Sequence, residues 1–366
     1  MNNVSELPGV HWTEYGIPIR NLWYMLLYAW NETPATSPAT LDDIENAPSL
    51  DGLLAAVLAR LMQNRLRIGL GRNYVDEQQP LKGIRGRLLF TESLKRQAFE
   101  RGQAVCVFQL YSLNVPKNQI VRSTLERLVK TGQFGPNLAR AEALRHSLRR
   151  LVRELEGVDL VELKPDFIHR QQLGRNDRDY RLMLAICELL LQRQMPADAA
   201  GSQRLPGLKR ADWVMYKIYE RFVANFYKFH LTDWEVTPQK RLDWHAEHTS
   251  PYLPSLQPDL LLREKSTGRL VVLDTKFTAS SLVKGQWGSV SFDSGHLYQL
   301  YTYLKTQEHI SEQHRQATGI LLYPAVAQSL LSERIMLQEQ TFRIETIDLT
   351  QPWQKIEQSL LDMIGR

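Results

Sequence analysis

The chain alternates between long stretches in which apolar residues recur every three or four positions and shorter apolar runs bounded by turn residues. The first pattern predicts helices, and the second predicts strands. Helices are predicted over residues 17–30, 50–67, 138–155, 180–193, 211–230, 294–306 and 353–364. Strands are predicted over residues 88–90, 234–236, 258–263, 270–277, 319–324 and 342–349.

The strands at 258–263 and 270–277 are predicted to form a β-hairpin. The segment between them, residues 264–268, is polar and ends in Gly268, a composition typical of a reversing loop. If this loop is centred between Ser266 and Thr267, Asp259 lies directly opposite Asp274. The hairpin therefore brings two acidic side chains together.

Two opposed carboxylates repel each other unless a cation lies between them. Because side chains alternate along a strand, Asp274 and Lys276 project from the same face. Carboxylates suit Mg²⁺, which commonly takes one or two protein carboxylates together with phosphate oxygens. The constellation of Asp259, Asp274 and Lys276 thus predicts metal-assisted phosphodiester hydrolysis, in which Lys276 orients the nucleophile or stabilises the developing anion. The alternative is an ordinary hairpin with solvated charges, since Asp-x-Lys triplets also occur by chance.

Residues 195–207 are small and polar and are bounded by Pro and Gly, which predicts a linker. We therefore divide the chain near residue 205, into an N-terminal region of residues 1–205 and a C-terminal domain of residues 206–366. The order helix, hairpin, helix and strand in the C-terminal domain predicts an α/β core with a mixed sheet flanked by helices. The N-terminal region is predicted to be mixed α+β.

The composition, with 43% hydrophobic and 23% charged residues, is that of a soluble globular protein. The 45 Lys and Arg residues slightly exceed the 40 Asp and Glu residues, which is compatible with a polyanionic partner. Cys106 and Cys187 stand too far apart for a zinc motif and predict reduced thiols. No signal-peptide pattern is found, and the longest apolar segment, residues 22–30, is shorter than the ~20 residues of a membrane span. We expect a cytoplasmic protein with no membrane partner.

Two segments that contain basic residues are candidate contacts for a partner or for phosphate. Arg20 and Asn21 stand at the head of the first predicted helix, where capping by Asn21 is the favoured interpretation and contact with a partner is the alternative. Lys82, Arg85 and Arg87 interleave with two glycines in a loop whose backbone could approach phosphate, or which could simply be a sharp turn.

Nucleotide hydrolysis is not expected from this chain, because it has no G-x-x-x-x-G-K-[ST] loop. Pro258-Asp259 followed by Asp274-Thr275-Lys276 resembles the PD-(D/E)xK motif of the restriction-endonuclease-like nuclease superfamily. Together with residues 17–30, residues 82–90 and the segment LYQLYTY at 297–303, this motif resembles the McrC family over nearly the whole chain. That family provides the nuclease subunits of McrBC modification-dependent (5-methylcytosine) restriction systems.

The resemblance implies a PD-(D/E)xK core in the C-terminal domain. In that core Asp259 and Asp274 would bind the metal, and Lys276 would be the motif lysine. Glu220 would stand where relatives often place a helical acid near the metal.

The resemblance also implies partners and supporting residues. Gln299 and Tyr303 match a Q-x-x-x-Y element of related nucleases and would contact DNA or brace the site. The N-terminal region would dock into an AAA+ GTPase ring, McrB-like, and stimulate its hydrolysis of GTP, which the partner and not this chain would bind. The substrate would be double-stranded DNA carrying modified cytosine.

Two further functions stay open. The chain could be a non-catalytic activator or scaffold of an AAA+ ring, in which case the aspartates would be dispensable. It could also be a stand-alone repair or recombination nuclease that cuts without a partner or nucleotide.

Overall fold

The computed structural model of the protein describes residues 12–13, 15–33, 35, 49–174, 177–194, 210–246, 250, 252–278, 282–284, 290–326 and 330–365. The described residues form two compact units. The C-terminal unit comprises residues 1–50 and 196–366, and the middle unit comprises residues 51–195. The predicted boundary near residue 205 lies outside the described residues.

The first helix, α1 (Ile19–Ala29), precedes the middle unit, whose elements follow in chain order: α2 (Leu50–Ile68), β1 (Asn73–Leu81), β2 (Arg87–Leu88), α3 (Phe90–Lys95), β3 (Ala104–Ser112), α4 (Pro116–Thr131), α5 (Leu138–Glu154), α6 (Pro165–His169) and α7 (Arg178–Gln194). The C-terminal unit continues with α8 (Arg210–His230), β4 (Trp234–Pro238), β5 (Leu260–Glu264), β6 (Leu270–Thr275), β7 (Leu282–Lys284), β8 (Val290–Phe292), α9 (Ser294–Lys305), α10 (Glu312–Arg315), β9 (Thr318–Ala325), β10 (Ser332–Leu337), β11 (Gln340–Asp348) and α11 (Trp353–Gly365).

The middle unit is mixed α+β, as predicted. Its antiparallel sheet has the order β1-β3-β2. In the sequence, α2 precedes the sheet, α3 lies between β2 and β3, and α4 to α7 follow β3. The predicted strand at 88–90 is wrong in its extent, because only Arg87 and Leu88 pair with β3 and Phe90 begins a helix. The glycine of the preceding loop is required there: Gly86 has a φ of +70°, and a Cβ at this position would lie 2.3 Å from the Val107 carbonyl oxygen.

The C-terminal unit is built on a mixed sheet of order β10-β11-β9-β6-β5-β4. The central strands β11, β9 and β6 are parallel, and β10, β5 and β4 are antiparallel to their neighbours. Helix α9 covers one face, where Leu300 and Leu304 join a buried cluster with Val272 and Leu321. A Cβ on Gly319 would lie 2.8 Å from Leu304, so this glycine lets α9 approach the sheet closely. The predicted mixed sheet flanked by helices is confirmed.

Helix α1 belongs to the C-terminal unit. It is buried on several sides, and its Tyr28 ring contacts Phe226 of α8 and Trp353 of α11, with ring centroids 5.4 and 5.8 Å apart. Asn21 Nδ2 donates hydrogen bonds to the carbonyl oxygens of Leu349 and Gln351, both at 2.8 Å. The division at residue 205 assigns this helix to the N-terminal region, whereas its Tyr28 contacts α8 and α11 of the C-terminal unit.

Within the parts of the chain that the structure describes, no helix has the length and apolarity needed to cross a membrane.

Candidate active site

The hairpin of β5 and β6 has the register predicted from the sequence. Leu260 pairs with Leu273, and the pairing continues to Arg263 opposite Leu270. Extending this register by one residue places Asp259, which immediately precedes β5, opposite Asp274. The reversing loop closes with Gly268 at a φ of +75°, in the left-handed region that glycine adopts readily.

Asp259 is held by the residue that follows Asp274. Its Oδ2 accepts hydrogen bonds from the Thr275 backbone N–H at 2.8 Å and from the Thr275 hydroxyl at 2.5 Å. The aspartate is 6% exposed. Burial, and then the nearby charges of Asp274 and Glu220, raise the pKa of Asp259 to about 7, although the hydrogen bonds from Thr275 lower it. Asp259 is therefore a buried acid under strong negative potential.

Asp274 and Lys276 form a buried ion pair on the face of the sheet that α9 covers. Lys276 Nζ lies 2.5 Å from Asp274 Oδ2, and the two residues are 7% and 2% exposed. This contact does not have hydrogen-bond geometry, so Asp274 Oδ2 is a buried carboxylate oxygen without a hydrogen-bond donor among the described residues. The Lys276 ammonium is therefore the positive group that compensates the charge of this buried oxygen.

Gln299 and Tyr303, one turn apart on α9, hold the lysine in place. Lys276 Nζ donates to Gln299 Oε1 at 2.8 Å, and Gln299 Nε2 donates to the Tyr303 hydroxyl at 2.7 Å. The Tyr303 hydroxyl in turn donates to the carbonyl oxygen of Gln257 at 3.1 Å, two residues before Asp259. The structure thus brings both residues of the predicted Q-x-x-x-Y element to Lys276 and the start of β5.

Glu220 lies on α8, and its side chain is already bonded within the protein. Its Oε2 accepts from Lys217 Nζ at 2.7 Å, and its Oε1 accepts from Gln239 Nε2. Its charge nevertheless acts on Asp259. Among the described residues, no group of three or more His, Cys, Asp and Glu side chains is arranged to hold a metal ion. Glu220 is therefore close to the two aspartates without joining them in such a group.

The two aspartates fit a hard divalent cation. Mg²⁺ keeps several waters and takes few protein carboxylates, so Asp259 and Asp274 would suffice as its protein ligands. The raised pKa of Asp259, caused by burial and then by the charges of Asp274 and Glu220, indicates a surplus of negative charge around this carboxyl. A cation would offset this surplus and favour the ionised form of both acids.

The structure adds site residues that the sequence did not indicate. The phenol of Tyr216, on α8, has its pKa raised by burial and then by the charges of Asp259, Glu220 and Asp274. His296 lies on α9, one turn before Gln299, and its Nδ1 is 2.9 Å from the hydroxyl of Tyr323 on β9. Only the spacing between His296 and Gln299 was visible in the sequence, because the other contacts join separate elements.

The remaining predicted contact residues belong to other elements. Asn21 is not the cap of α1: the helix begins at Ile19, its cap position is Pro18, and the buried Asn21 side chain binds the carbonyl groups near residue 350. Arg20 is half-buried on the same helix. In the middle unit three residues of the basic loop are exposed, namely Lys82, Arg85 and Arg87, and the Arg85 guanidinium lies 4.3 Å from the centre of the Phe108 ring.

Comparison with known proteins gives consistent matches over most of the chain. Residues 8–324 match the family described as McrBC 5-methylcytosine restriction system component. The Type IV methyl-directed restriction enzyme EcoKMcrBC of Escherichia coli (strain K12) is 28% identical over 351 residues, which cover 95% of this chain and 97% of that protein. A chain in a solved half-complex from a tetradecameric assembly of Thermococcus gammatolerans McrB AAA+ hexamers with bound McrC has a similar fold. Its TM-score is 0.53 at 16% identity, and the match covers 95% of this chain and 76% of that chain.

Proposed function

The chain belongs to the family of McrBC 5-methylcytosine restriction system components, and we propose that it is the McrC-type subunit of such a system, the one that cuts DNA. On this proposal its C-terminal unit is a PD-(D/E)xK nuclease core. Its substrate is double-stranded DNA carrying modified cytosine, and its work takes place in the cytoplasm.

The observation that carries the proposal is the cluster of Asp259, Asp274 and Lys276. Two buried carboxylates meet at the end of a hairpin with a lysine 2.5 Å from one of them. An ordinary hairpin with solvated charges would leave these groups exposed, whereas all three are buried. Burying unneeded charge costs stability, so the arrangement is explained better by a function than by the fold.

Asp259 and Asp274 would hold Mg²⁺. When bound, the ion would acidify a water molecule and neutralise charge on the phosphate. This chemistry matches the cleavage of a phosphodiester, and it requires the two aspartates to be ionised together. The hydrogen bonds from Thr275 favour the ionised form of Asp259, because they are donated to its carboxylate.

Lys276 would orient the attacking water and stabilise the negative charge that develops on the phosphate. It is suited to this role because Asp274 on one side and Gln299 on the other fix its ammonium group. A fixed donor needs no reorganisation when the charge develops. Tyr303 completes the support by binding Gln299 and the backbone of Gln257.

The nucleotide-dependent part of the reaction would belong to a second protein. The solved structure with a similar fold is an assembly of McrB AAA+ hexamers with bound McrC, and the sequence of this chain lacks the nucleotide-binding motif G-x-x-x-x-G-K-[ST]. We propose that the chain docks on an AAA+ GTPase ring, that the ring binds GTP, and that docking stimulates its hydrolysis. The exposed basic loop with Lys82, Arg85 and Arg87 belongs to the middle unit and is the proposed contact for the partner or for phosphate.

Reconstitution tests the whole proposal. The chain and its AAA+ partner are incubated with Mg²⁺ and with plasmids that carry or lack 5-methylcytosine, with and without GTP. We expect double-strand breaks only in methylated DNA with GTP. Cleavage by the chain alone would instead favour the stand-alone nuclease, and a complex that hydrolyses GTP but never cuts DNA would favour the non-catalytic activator.

A further inference from the structure

His296 lies on the side of α9 that faces the proposed active site. It precedes Gln299 by three residues, so the two side chains share a face of the helix, and Gln299 binds Lys276. The charges of Lys276 and Asp274 both act on the imidazole. His296 is nevertheless bonded to none of the residues that the proposed mechanism uses.

The imidazole of His296 is held by a hydrogen bond with Tyr323. This tyrosine lies on β9 and is 1% exposed, and its hydroxyl is 2.9 Å from His296 Nδ1. The chain that follows β6 is bonded to β9 at the same place, because the Lys276 N–H donates to the carbonyl oxygen of Leu322 at 2.9 Å. Tyr323 and Lys276 are therefore neighbours on adjacent segments of the sheet. Tyr323 contacts His296, and Lys276 contacts Gln299.

The direction of the hydrogen bond between Tyr323 and His296 follows from their protonation. Burial raises the pKa of Tyr323, as do the charges of Asp293 and Asp274, so its hydroxyl keeps its proton and can donate. Burial and then the Lys276 ammonium lower the pKa of His296. A neutral imidazole that accepts at Nδ1 carries its hydrogen on Nε2. Asp293 does not compete for this arrangement, because its Oδ1 is 4.0 Å from Nδ1.

The Nε2–H group of His296 is left for a ligand. No described residue accepts a hydrogen bond from it, and the side chain is 24% exposed. A donor next to the Lys276 ammonium favours an anionic acceptor, and the oxygens of a DNA phosphate are such acceptors. A histidine that served only to pack α9 on the sheet would not need an oriented ring with a spare donor.

We propose that His296 binds a backbone phosphate of the DNA strand in the active site through Nε2–H, with Tyr323 as the positioning residue that fixes the imidazole. This inference rests on the proposed nuclease function and adds a substrate contact to it. The phosphate would lie beside Lys276, so histidine and lysine would hold the same stretch of the DNA backbone.

The test uses the full chain assembled with its AAA+ partner, GTP and Mg²⁺, and a duplex containing 5-methylcytosine. Single-turnover cleavage is measured at saturating protein for His296→Phe, which keeps a planar ring without a donor, and for His296→Gln, which offers an amide N–H near the position of Nε2. The matched controls are His309→Phe and His309→Gln, at an exposed histidine whose ring stacks on that of His245. Asp274→Asn is included to test the proposed function itself.

We expect His296→Phe to slow cleavage about 10-fold or more, as loss of one preorganised donor does, and His296→Gln to recover most of the rate. The His309 variants should cut like the wild type. The inference is overturned if His296→Phe cuts at the wild-type rate or if His296→Gln does not recover activity. In either case, an inactive Asp274→Asn variant would still support the proposed nuclease function. If Asp274→Asn cuts normally, the proposed function itself is wrong.

A second variant covers the case in which His296→Phe does not fold or assemble, as judged by thermal unfolding and by GTPase stimulation. Tyr323→Phe removes one hydroxyl and frees the imidazole to rotate. We expect it to slow cleavage several-fold without changing GTPase stimulation. If Tyr323→Phe cuts at the wild-type rate, the oriented histidine is not needed and the inference is overturned.

Discussion

Thr275 donates both its backbone N–H and its hydroxyl to the same oxygen of Asp259, at 2.8 and 2.5 Å. Thr275, which follows Asp274 in the chain, thereby holds Asp259 on the opposite side of the hairpin. Opposed acids across a hairpin would otherwise splay apart. This bond pair keeps Asp259 close to Asp274 even without a cation, so the proposed metal site is largely preorganised by its own strand.

Asp274→Asn should abolish DNA cleavage, by at least about 10³-fold, and leave binding to the AAA+ partner and stimulation of its GTPase intact. The change removes one of two metal-binding carboxylates but preserves the shape of the side chain. The assay is plasmid cleavage alongside GTP hydrolysis in the same reaction. Asp233→Asn, at an exposed position of the same unit, is the control and should cut normally. Full cleavage by Asp274→Asn would show that the site is assigned to the wrong residues.

The stability of the chain without divalent ions should fall as the pH rises from about 4 to about 7. The folded-state pKa of Asp259 is raised from 3.8 to about 7, so the folded state holds a proton in this range that the unfolded state has lost. The stabilisation is complete below pH 3.8 and is lost as the pH passes through 7. Urea unfolding in EDTA at pH 5 and pH 8 measures the effect.

Asp259→Asn tests whether this pH dependence comes from Asp259. The variant carries no charge at this position, so it should be more stable than the wild type at pH 8 and similar to it near pH 4. Mg²⁺ at pH 8 should stabilise the wild type, because binding to the folded state alone raises stability, and should have little effect on Asp259→Asn. Equal pH dependence of the two proteins would mean that another group is responsible.

Glu220→Gln should retain cleavage and shift the acidic limb of its pH profile to lower pH. The charge of Glu220 raises the pKa of Asp259, so its removal lets Asp259 ionise more readily. Both Glu220 oxygens are bonded to Lys217 and Gln239, which is why we expect a change of profile and not a loss of activity. Complete inactivation would instead identify Glu220 as a metal ligand. The exposed Glu333→Gln is a suitable control.

Gly86→Ala should destabilise the middle unit by more than about 2 kcal/mol. Alanine is strained at a φ of +70°, and its Cβ would lie 2.3 Å from the Val107 carbonyl oxygen. If the basic loop contacts the partner, GTPase stimulation should fall as well. Gly157→Ala, where a Cβ meets nothing within 4 Å, is the control for chemical denaturation and for GTPase assays. Unchanged stability of Gly86→Ala would contradict the loop geometry.

Much of the C-terminal unit was predictable because its signals are local. The hairpin register followed from two apolar runs and one turn, and the pairing of Leu260 with Leu273 confirms it. The family resemblance rested on the order of several motifs, and membership of the family confirms it. The metal-binding role of Asp259 and Asp274 stays a prediction until it is tested by mutation.

Features that depend on distant packing were not predictable. Strand β1 was missed because its sequence, NYVDEQQPL, is polar and contains Pro80. Its alternating burial is seen only in the structure, where it pairs with β3. The partners of Glu220 and the pairing of His296 with Tyr323 join separate helices and strands. Asn21 looked like a helix cap because the sequence gives no sign of the carbonyl groups that it binds.

The hydrogen bonds from Asn21 to Leu349 and Gln351 impose an order of events during synthesis. Asn21 is 328 residues from its first partner, so at ~5–20 residues per second a ribosome needs about 16–65 s to supply it. The middle unit can fold during that interval, while α1 waits uncovered. The unit that carries Asp259 and Asp274 therefore pairs an early helix with carbonyl groups that are synthesised after the whole of the middle unit.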